Sequence, residues 1–523
     1  MEAIVMIKEL TELVILAEQS LPGAEELLRF YSRGNRDVEK LYYAIQSASY
    51  RTEADAIQRI GIGERTKFRQ IARELLRCLE LMALHLDSER QLSDPLNGSR
   101  LRGLRLTAIA KSLSPLACKH AAKKTAEELL KLGQDYGRPE FVVEASRILM
   151  DYVSVAGDDL KTYDRYLELY EQYSEWRQVE EKAVICFDRI KLPSIKRKTL
   201  QKELAGQAQR YLNDLEAYAG VINSHNFHVS YYSLLSYRHT MEGRYQDASA
   251  VHETAIAYFS ERPYPCNQAL NIFHYLEIMN CFYLGSYSRG NRFFSRALDL
   301  ASPGTYNWFS TLELGFYLKM HQGEYRQAAD IYQLAVKNRK MAVLREAQRE
   351  TWHILGAYLF IIQQLTGKQI PEEMAPKIKS TRFRNDIRDF SQDKQGMNVA
   401  ILAAEVLLEY VEGKFDSLWD RVAALEKYRE RYLRNSGDTH RSQLFIKILV
   451  ILSKYNYDSE KFPEKVRPYL EELRKAPLQL SNQSHELEII PYEALVRLLT
   501  DSMRARRVRT SAGKDNRLPG FRG

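Results

Sequence analysis

Two residue patterns in this chain approach the chemistry of enzyme sites without completing it. His252-Glu253 opens like the helix of a zinc protease, which needs a second histidine four residues after the first to hold the metal. Ile256 occupies that position, so the metal would lack a ligand. Gly61 and Gly63 begin a glycine pattern, but the third glycine and the preceding strand of a dinucleotide site are absent. Neither pattern predicts a catalytic, cofactor-binding or metal-binding residue.

A third pattern has the glycine spacing of a phosphate-binding loop. It runs from Gly285 to Gly290 and is followed by Asn291 and Arg292. The chemistry requires a lysine for the phosphates and a hydroxyl for magnesium at those two positions. Because both are missing and the flanks are helical, this segment predicts a bend between helices. We therefore expect no cofactor, and an enzyme with an unrecognised site is kept only as an alternative.

Three aspartates share one face of a predicted helix and could be considered as metal ligands. They alternate with three basic residues, which favours salt links over a metal site. The acids are Asp386, Asp389 and Asp393, and the bases are Arg384, Arg388 and Lys394.

Two basic segments could contact a polyanion. In the first, four arginines recur every fourth residue on a helix that follows a short helix and a glycine turn, as in helix-turn-helix readers of DNA. The other interpretation is a solvated face opposite an apolar stripe. In the second, the last twenty residues hold seven basic residues and one acid, which is most of the net charge of +8. The candidate contacts are Arg65, Arg69, Arg73, Arg77, Arg504, Arg506, Arg507 and Arg509.

The composition predicts a mostly helical, cytoplasmic protein. Only 15 prolines and 25 glycines occur in 523 residues, and both residue types weaken helix interiors. No apolar run approaches the roughly 20 residues of a membrane-spanning helix, and the amino terminus lacks the pattern of a secretory signal. The five cysteines are scattered, which favours reduced thiols over a disulfide framework.

A hexapeptide of the form Gly-x-Tyr-x-x-Ala recurs along the middle of the chain. Intact copies begin at Gly243 and Gly323, a degraded copy begins at Gly285, and Gly413 opens a weaker one. Each of the first three lies between two apolar helical stretches, so it predicts the bend of a helix-turn-helix unit. Repeated units of this kind stack into a solenoid, which commonly presents its surface to partners.

These repeats resemble the tetratricopeptide family. That family places large residues on the first helix of each pair, a glycine and an aromatic residue at the bend, and small residues on the second helix. Around the first bend, Tyr232 and Leu235 precede Gly243, and Ala248 and Ala255 follow it. The resemblance covers residues 227–365, with bends further apart than the family's usual spacing of about 34 residues. It implies an all-α fold, a right-handed α-solenoid of antiparallel helix pairs, with a helical N-terminal region.

The resemblance also implies a binding surface. In the family, the first helices line a concave groove that holds an extended peptide or a partner helix, with aromatic residues as anchors. The lysine and asparagine with which some relatives clamp a C-terminal carboxylate are replaced here by Ser233 and Tyr237. The groove positions map onto Tyr237, Tyr275, Glu313, Tyr317 and His353.

The helical patterns divide the chain into four parts. Polar stretches with proline and glycine at 87–99 and 366–380 predict the loops between them. The expected parts are a helical N-terminal region over 1–90, a repeat array over 100–365, C-terminal helical repeats over 381–503, and a basic disordered tail over 504–523.

Three functions are compatible with these observations. The first is a non-enzymatic scaffold or adaptor that binds a protein or peptide in the groove. The second is a nucleic-acid-associated regulator that uses the basic N-terminal helix or the basic tail. The third is the enzyme with an unrecognised site. The sequence predicts no membrane partner for any of them.

Overall fold

Helices contain most of the residues that the computed structural model of the chain describes, and no strand occurs among them. The all-α prediction is therefore confirmed for this part of the chain. The described residues are 2–47, 57, 65–85, 95–116, 118–156, 159–196, 201–367, 369–387, 398–433, 440–455, 458–476, 478 and 488–515.

Twenty-two α-helices follow one another along the described chain. In the first half they are α1 (Glu2–Ser20), α2 (Ala24–Tyr31), α3 (Arg36–Ser47), α4 (Arg65–Ala83), α5 (Pro95–Leu113), α6 (Lys119–Asp135), α7 (Pro139–Ala156), α8 (Leu160–Lys196), α9 (Gln201–Ala219), α10 (His225–Met241) and α11 (Tyr245–Ser260). In the second half they are α12 (Asn267–Tyr283), α13 (Tyr287–Leu300), α14 (Tyr306–Gln322), α15 (Tyr325–Val336), α16 (Glu346–Thr366), α17 (Ser380–Asp386), α18 (Asn398–Glu412), α19 (Phe415–Tyr428), α20 (His440–Lys454), α21 (Lys461–Lys475) and α22 (Tyr492–Asp515). Within the described ranges, no helix combines the length and apolar character needed to cross a bilayer.

The chain forms two compact units, each assembled from separate segments. Unit 1 contains residues 1–185, 213–231 and 258–268. Unit 2 contains residues 186–212, 232–257 and 269–523. The four-part division expected from the sequence stays a prediction.

In unit 1, the first four helices pack around a shared apolar core. Helices α1, α2 and α3 all contact α4. The stripe expected on α4, which includes Phe68, Leu75 and Met82, is buried in that core. Because its members recur every three or four residues, they lie on one face of the helix. This prediction is confirmed.

The four predicted bends share one backbone geometry. Gly243, Gly285, Gly323 and Gly413 all have positive φ, between 62° and 74°, a conformation that glycine adopts without a steric penalty. At each bend the residue after the glycine donates its N–H to the carbonyl five residues earlier, at 2.9 Å. This bond is the mark of the Schellman motif that ends helices. The repeated hexapeptide thus ends a helix at each copy, as its sequence predicted.

The small residue at the end of the hexapeptide allows two helices to approach closely. Ala248 and Ala328 are fully buried at this position. In the degraded copy the residue is Gly290, where an added Cβ would lie 2.9 Å from Leu318 Cδ2. That separation is too short for two carbon atoms, so the replacement of alanine by glycine in this copy fits the local packing.

Helices in unit 2 pack in chain order. From α13 onward each helix contacts the next, except that α16 packs directly on α18 across the short α17. One continuous apolar core runs from Ile278 to Met503. The loop expected between residues 366 and 380 is confirmed, since α16 ends at Thr366 and α17 begins at Ser380.

The predicted end of the last helix is wrong. The last helix was expected to end near Met503, but α22 continues to Asp515. The basic segment over 504–515 is therefore helical, and residues 516–523 lie outside the described chain. Pro193 lies inside α8, which continues to Lys196.

Candidate functional site

Two of the five predicted groove residues are buried, which corrects their assignment as surface anchors. Tyr237 is 8% exposed and packs edge-on against Phe187, with ring centroids 5.3 Å apart. Tyr317 is fully buried in the core of unit 2. Burial, together with the nearby Glu313, Tyr358 and Tyr275, raises the pKa of Tyr317 well above its usual value. Neither tyrosine offers area to a partner in this structure.

The other three groove residues keep part of their surface. Tyr275, Glu313 and His353 are each half-buried, and they lie on α12, α14 and α16, the first helices of successive pairs. The His353 ring stacks on Phe383, with centroids 6.0 Å apart and planes 12° apart. We call these three residues the first-helix row.

The candidate polyanion contacts on α4 lie on its outer side. Arg65, Arg73 and Arg77 are exposed, and Arg69 is half-buried. This placement is expected for a solvated face opposite a buried stripe and equally for a surface that contacts a polyanion. In α22, Arg504 is exposed. The side chains of three further candidates, Arg506, Arg507 and Arg509, lie outside the described part of the structure.

A buried polar network in unit 2 was not predicted from the sequence. Ser236 Oγ lies 2.6 Å from His252 Nε2, and His252 Nδ1 lies 2.7 Å from Glu277 Oε2. The three side chains come from the consecutive helices α10, α11 and α12. Their residues are 2%, 1% and 0% exposed, in the same order. This is the hydrogen-bond order of a serine–histidine–carboxylate triad.

Glu277 is the centre of that network. Its carboxylate also accepts a hydrogen bond from Ser249 Oγ at 2.8 Å and pairs with Arg289 Nη2 at 2.8 Å. Burial alone would raise the pKa of Glu277, but the hydrogen bonds from His252 and Ser249 and the charge of Arg289 outweigh it. The net effect is a pKa below the usual value. The carboxylate is therefore held ionised in the core.

The ionised carboxylate fixes the role of one nitrogen of the histidine ring. An ionised carboxylate only accepts hydrogen bonds, so His252 Nδ1 donates to Glu277. On the other side of the ring, Nε2 forms its hydrogen bond with the Ser236 hydroxyl, a group that can donate or accept. The donors of His252, Ser249 and Arg289 that face Glu277 therefore all have an acceptor, as buried polar groups require.

The space beside the network decides what it can do chemically. Ser236, Thr240 and Asn280 line a cavity of about 20 Å³, and a single water needs roughly 10–15 Å³. An acyl substrate has no room to reach Ser236 Oγ in this structure. The network links three helices through hydrogen bonds, and the space beside it does not admit a substrate for hydrolysis.

The sequence carried only a weak signal of this network. His252 lies between Ala248 and Ala255, the small residues that follow the first bend, and a polar side chain at such a position needs a buried partner. Ser236 and Glu277 lie 16 and 25 residues from it. Their proximity depends on how neighbouring helices pack, which spacing within one helix does not reveal.

The predicted salt links around Asp386 stay a prediction, because its side chain and the residues 388–397 lie outside the described part of the structure. Arg384 Nη1 pairs with Glu409 Oε1 at 2.7 Å, a contact between α17 and α18. Asp389 and Asp393 lie outside the described residues. Among those described, no group of three or more His, Cys, Asp or Glu side chains is arranged to hold a metal ion.

Comparison with known proteins gives no relative. No protein-family model, curated protein or solved structure matches this chain.

Proposed function

We propose that this chain is a non-enzymatic scaffold or adaptor that binds a protein or peptide along the first helices of a TPR-like, right-handed solenoid. The four identical bends support the repeat architecture, because each ends one helix and starts the next with the same backbone geometry. The proposal includes a cytoplasmic location, supported by the five cysteines, none of which forms a disulfide in the described structure.

The observation that carries the proposal is the first-helix row. Tyr275, Glu313 and His353 keep surface on three successive first helices, although most residues of α14 and α16 are buried. An aromatic ring, a carboxylate and an imidazole offer an apolar contact and hydrogen bonds to an extended segment. Aromatic residues that are partly buried and held by neighbours also lose little entropy on binding.

Replacing Tyr275 by alanine together with Glu313→Lys should reduce capture of the bound protein at least about tenfold, the loss of roughly one interface hot spot. The measurement is a tagged pull-down of the full-length chain from its native cells, with nuclease added to half of each sample. A defined protein that survives nuclease is the expected wild-type result.

The matched control makes the same chemical changes elsewhere in unit 2. Tyr455 is a half-buried tyrosine packed on the same core, and Glu346 is exposed at the start of α16. Tyr455→Ala with Glu346→Lys should leave capture unchanged. Undiminished capture by a well-folded Tyr275/Glu313 variant would remove the row from the binding surface.

The second candidate function is binding of nucleic acid through α4. It is favoured by Arg65, Arg73 and Arg77, which are exposed opposite the buried stripe. Lysine and arginine that neutralise phosphates release counterions, so the affinity should fall steeply as salt rises.

Arg73→Glu with Arg77→Glu should then weaken binding to a 20-base-pair DNA duplex and reduce the salt slope by about 2, roughly one for each phosphate that is no longer neutralised. Exposed arginines on other helices of unit 1 provide the control, as Arg100→Glu with Arg165→Glu. Binding that is undetectable, insensitive to salt or equally reduced by the control would count against α4 as a nucleic-acid reader.

A further inference from the structure

A cavity of about 770 Å³ opens in unit 2 where the helix array is interrupted between α16 and α18. This volume lies within the range of roughly 300–1,000 Å³ that is usual for ligand sites. The lining residues are Phe360, Gln363, Gln364, Gly367, Glu372, Lys377, Ile378, Lys379, Glu412 and Lys414.

One wall is the loop that follows α16, and it is held by a buried amide. Gln363 Nε2 donates to the carbonyls of Ile370 at 3.3 Å and Pro371 at 2.9 Å. Gly367 ends the helix with φ of +74°. The loop backbone is thereby fixed to the last turn of α16, which gives the cavity a stable edge.

The opposite wall is fixed by the carboxylate of Glu412. It accepts hydrogen bonds from Ser380 N at 2.7 Å and Ser380 Oγ at 2.8 Å, and Lys414 Nζ lies 2.6 Å away. Burial raises the pKa of Glu412, but these contacts outweigh it and the net pKa is lowered. The ionised carboxylate anchors the start of α17 and neutralises Lys414.

The segment before α17 presents two lysines in a defined geometry. Ile378 is buried, whereas Lys377 and Lys379 on either side of it are exposed. The backbone at Lys379 is extended, with φ −96° and ψ 140°. In extended chain, alternate side chains lie on the same side at a separation of roughly 6.6 Å. The two lysine side chains are therefore carried on one side of the segment. Among the described lining residues, the acids are Glu372 and Glu412.

We propose that this cavity, called the lysine pocket, binds an extended acidic peptide of a partner protein. Carboxylates two residues apart in an extended peptide repeat at the same separation as Lys377 and Lys379, so both can pair at once. A folded partner is too large for this volume, and a single phosphate would need donors that converge on one point. The site is separate from the first-helix row and goes beyond the proposed scaffold function.

The test uses the full-length chain and a fluorescein-labelled Glu-Val-Glu-Val-Glu peptide, followed by fluorescence anisotropy. We expect saturable binding that is lost with Gln-Val-Gln-Val-Gln. Lys377→Glu with Lys379→Glu should weaken it at least about tenfold, because reversing two exposed charges turns each attraction into repulsion.

The control reverses two other exposed lysines of unit 2, as Lys337→Glu with Lys475→Glu, and should bind like the wild type. The Tyr275/Glu313 variant should also bind normally, so that failure here is distinguishable from failure of the first-helix row. Absence of binding, or equal affinity of the Lys377/Lys379 variant and its control, would overturn the proposal.

Discussion

Replacing Glu277 by leucine should lower the free energy of unfolding by about 2–6 kcal/mol, because two buried donors each lose their acceptor at a cost of roughly 1–3 kcal/mol. The loss follows from what the carboxylate holds. Without it, His252 Nδ1 and Ser249 Oγ lose their acceptor in the core, and Arg289 Nη2, on a side chain that is 32% exposed, keeps only its pair with Glu253. Equilibrium denaturation in urea, followed by circular dichroism, measures the change.

The chain contains a close control for this experiment. Arg289 Nη2 also pairs with Glu253 Oε1 at 2.9 Å, against 2.8 Å to Glu277 Oε1. The side chain of Glu253 is 62% exposed and that of Glu277 is 0% exposed. Because solvent screens the outer pair, Glu253→Leu should cost at most about 1 kcal/mol. Similar losses for the two variants would mean that the buried network does not stabilise unit 2.

Lowering the pH from 7.5 to 5 should destabilise unit 2 by about 2 kcal/mol through His274 alone. Burial, aided by the charge of Arg296, lowers the pKa of His274 to about 4. The unfolded chain takes up a proton below its ordinary pKa of about 6.5, while the folded chain stays neutral until about 4. The stability that neutral His274 contributes is therefore fully present above pH 6.5 and is lost as the pH falls towards 4.

His274→Leu isolates this contribution, since all other groups titrate alike in both proteins. His274 Nδ1 is buried and has no hydrogen-bond partner in the described chain, so the apolar replacement should be nearly neutral at pH 7.5. At pH 5 the variant should be the more stable protein by about 2 kcal/mol. If the free energy of unfolding depended on pH in the same way in both proteins, His274 would not be the source of the acid sensitivity.

His225 gives unit 1 the same behaviour. Burial and the charges of Arg138 and Arg262 lower its pKa to about 3. We therefore expect acid to destabilise both units, through His225 in unit 1 and His274 in unit 2. Because the two units can unfold separately, unfolding should be followed with one probe in each unit.

The sequence predicted those features that depend on neighbouring residues. The bends at Gly243, Gly285 and Gly323 follow from glycine at the end of an apolar helical stretch, and the stripe on α4 follows from helical periodicity. Both signals are contained within a few turns of chain, where backbone preferences and amphipathicity act directly.

Features set by packing between helices were mispredicted or missed. Tyr317 was mapped to an open groove, but Tyr275 of α12 and Tyr358 of α16 lie beside it and it is fully buried. Ser236, His252 and Glu277 meet because three helices bring them together, and no spacing along the chain encodes that meeting. The lysine pocket likewise depends on Glu412, which fixes Ser380 from 32 residues away.

The contacts of the segment before α22 have a consequence for synthesis on the ribosome. His321 Nε2 donates to the carbonyl of Glu488 at 2.6 Å, a contact between residues 167 positions apart. Tyr492 stacks on Phe445, and Leu495 and Leu499 complete the same core. At roughly 5–20 residues per second, the late segment is made about 8–33 s after His321. Unit 2 therefore spends that interval as a nascent chain with apolar surface uncovered, which is the state that holdase chaperones bind.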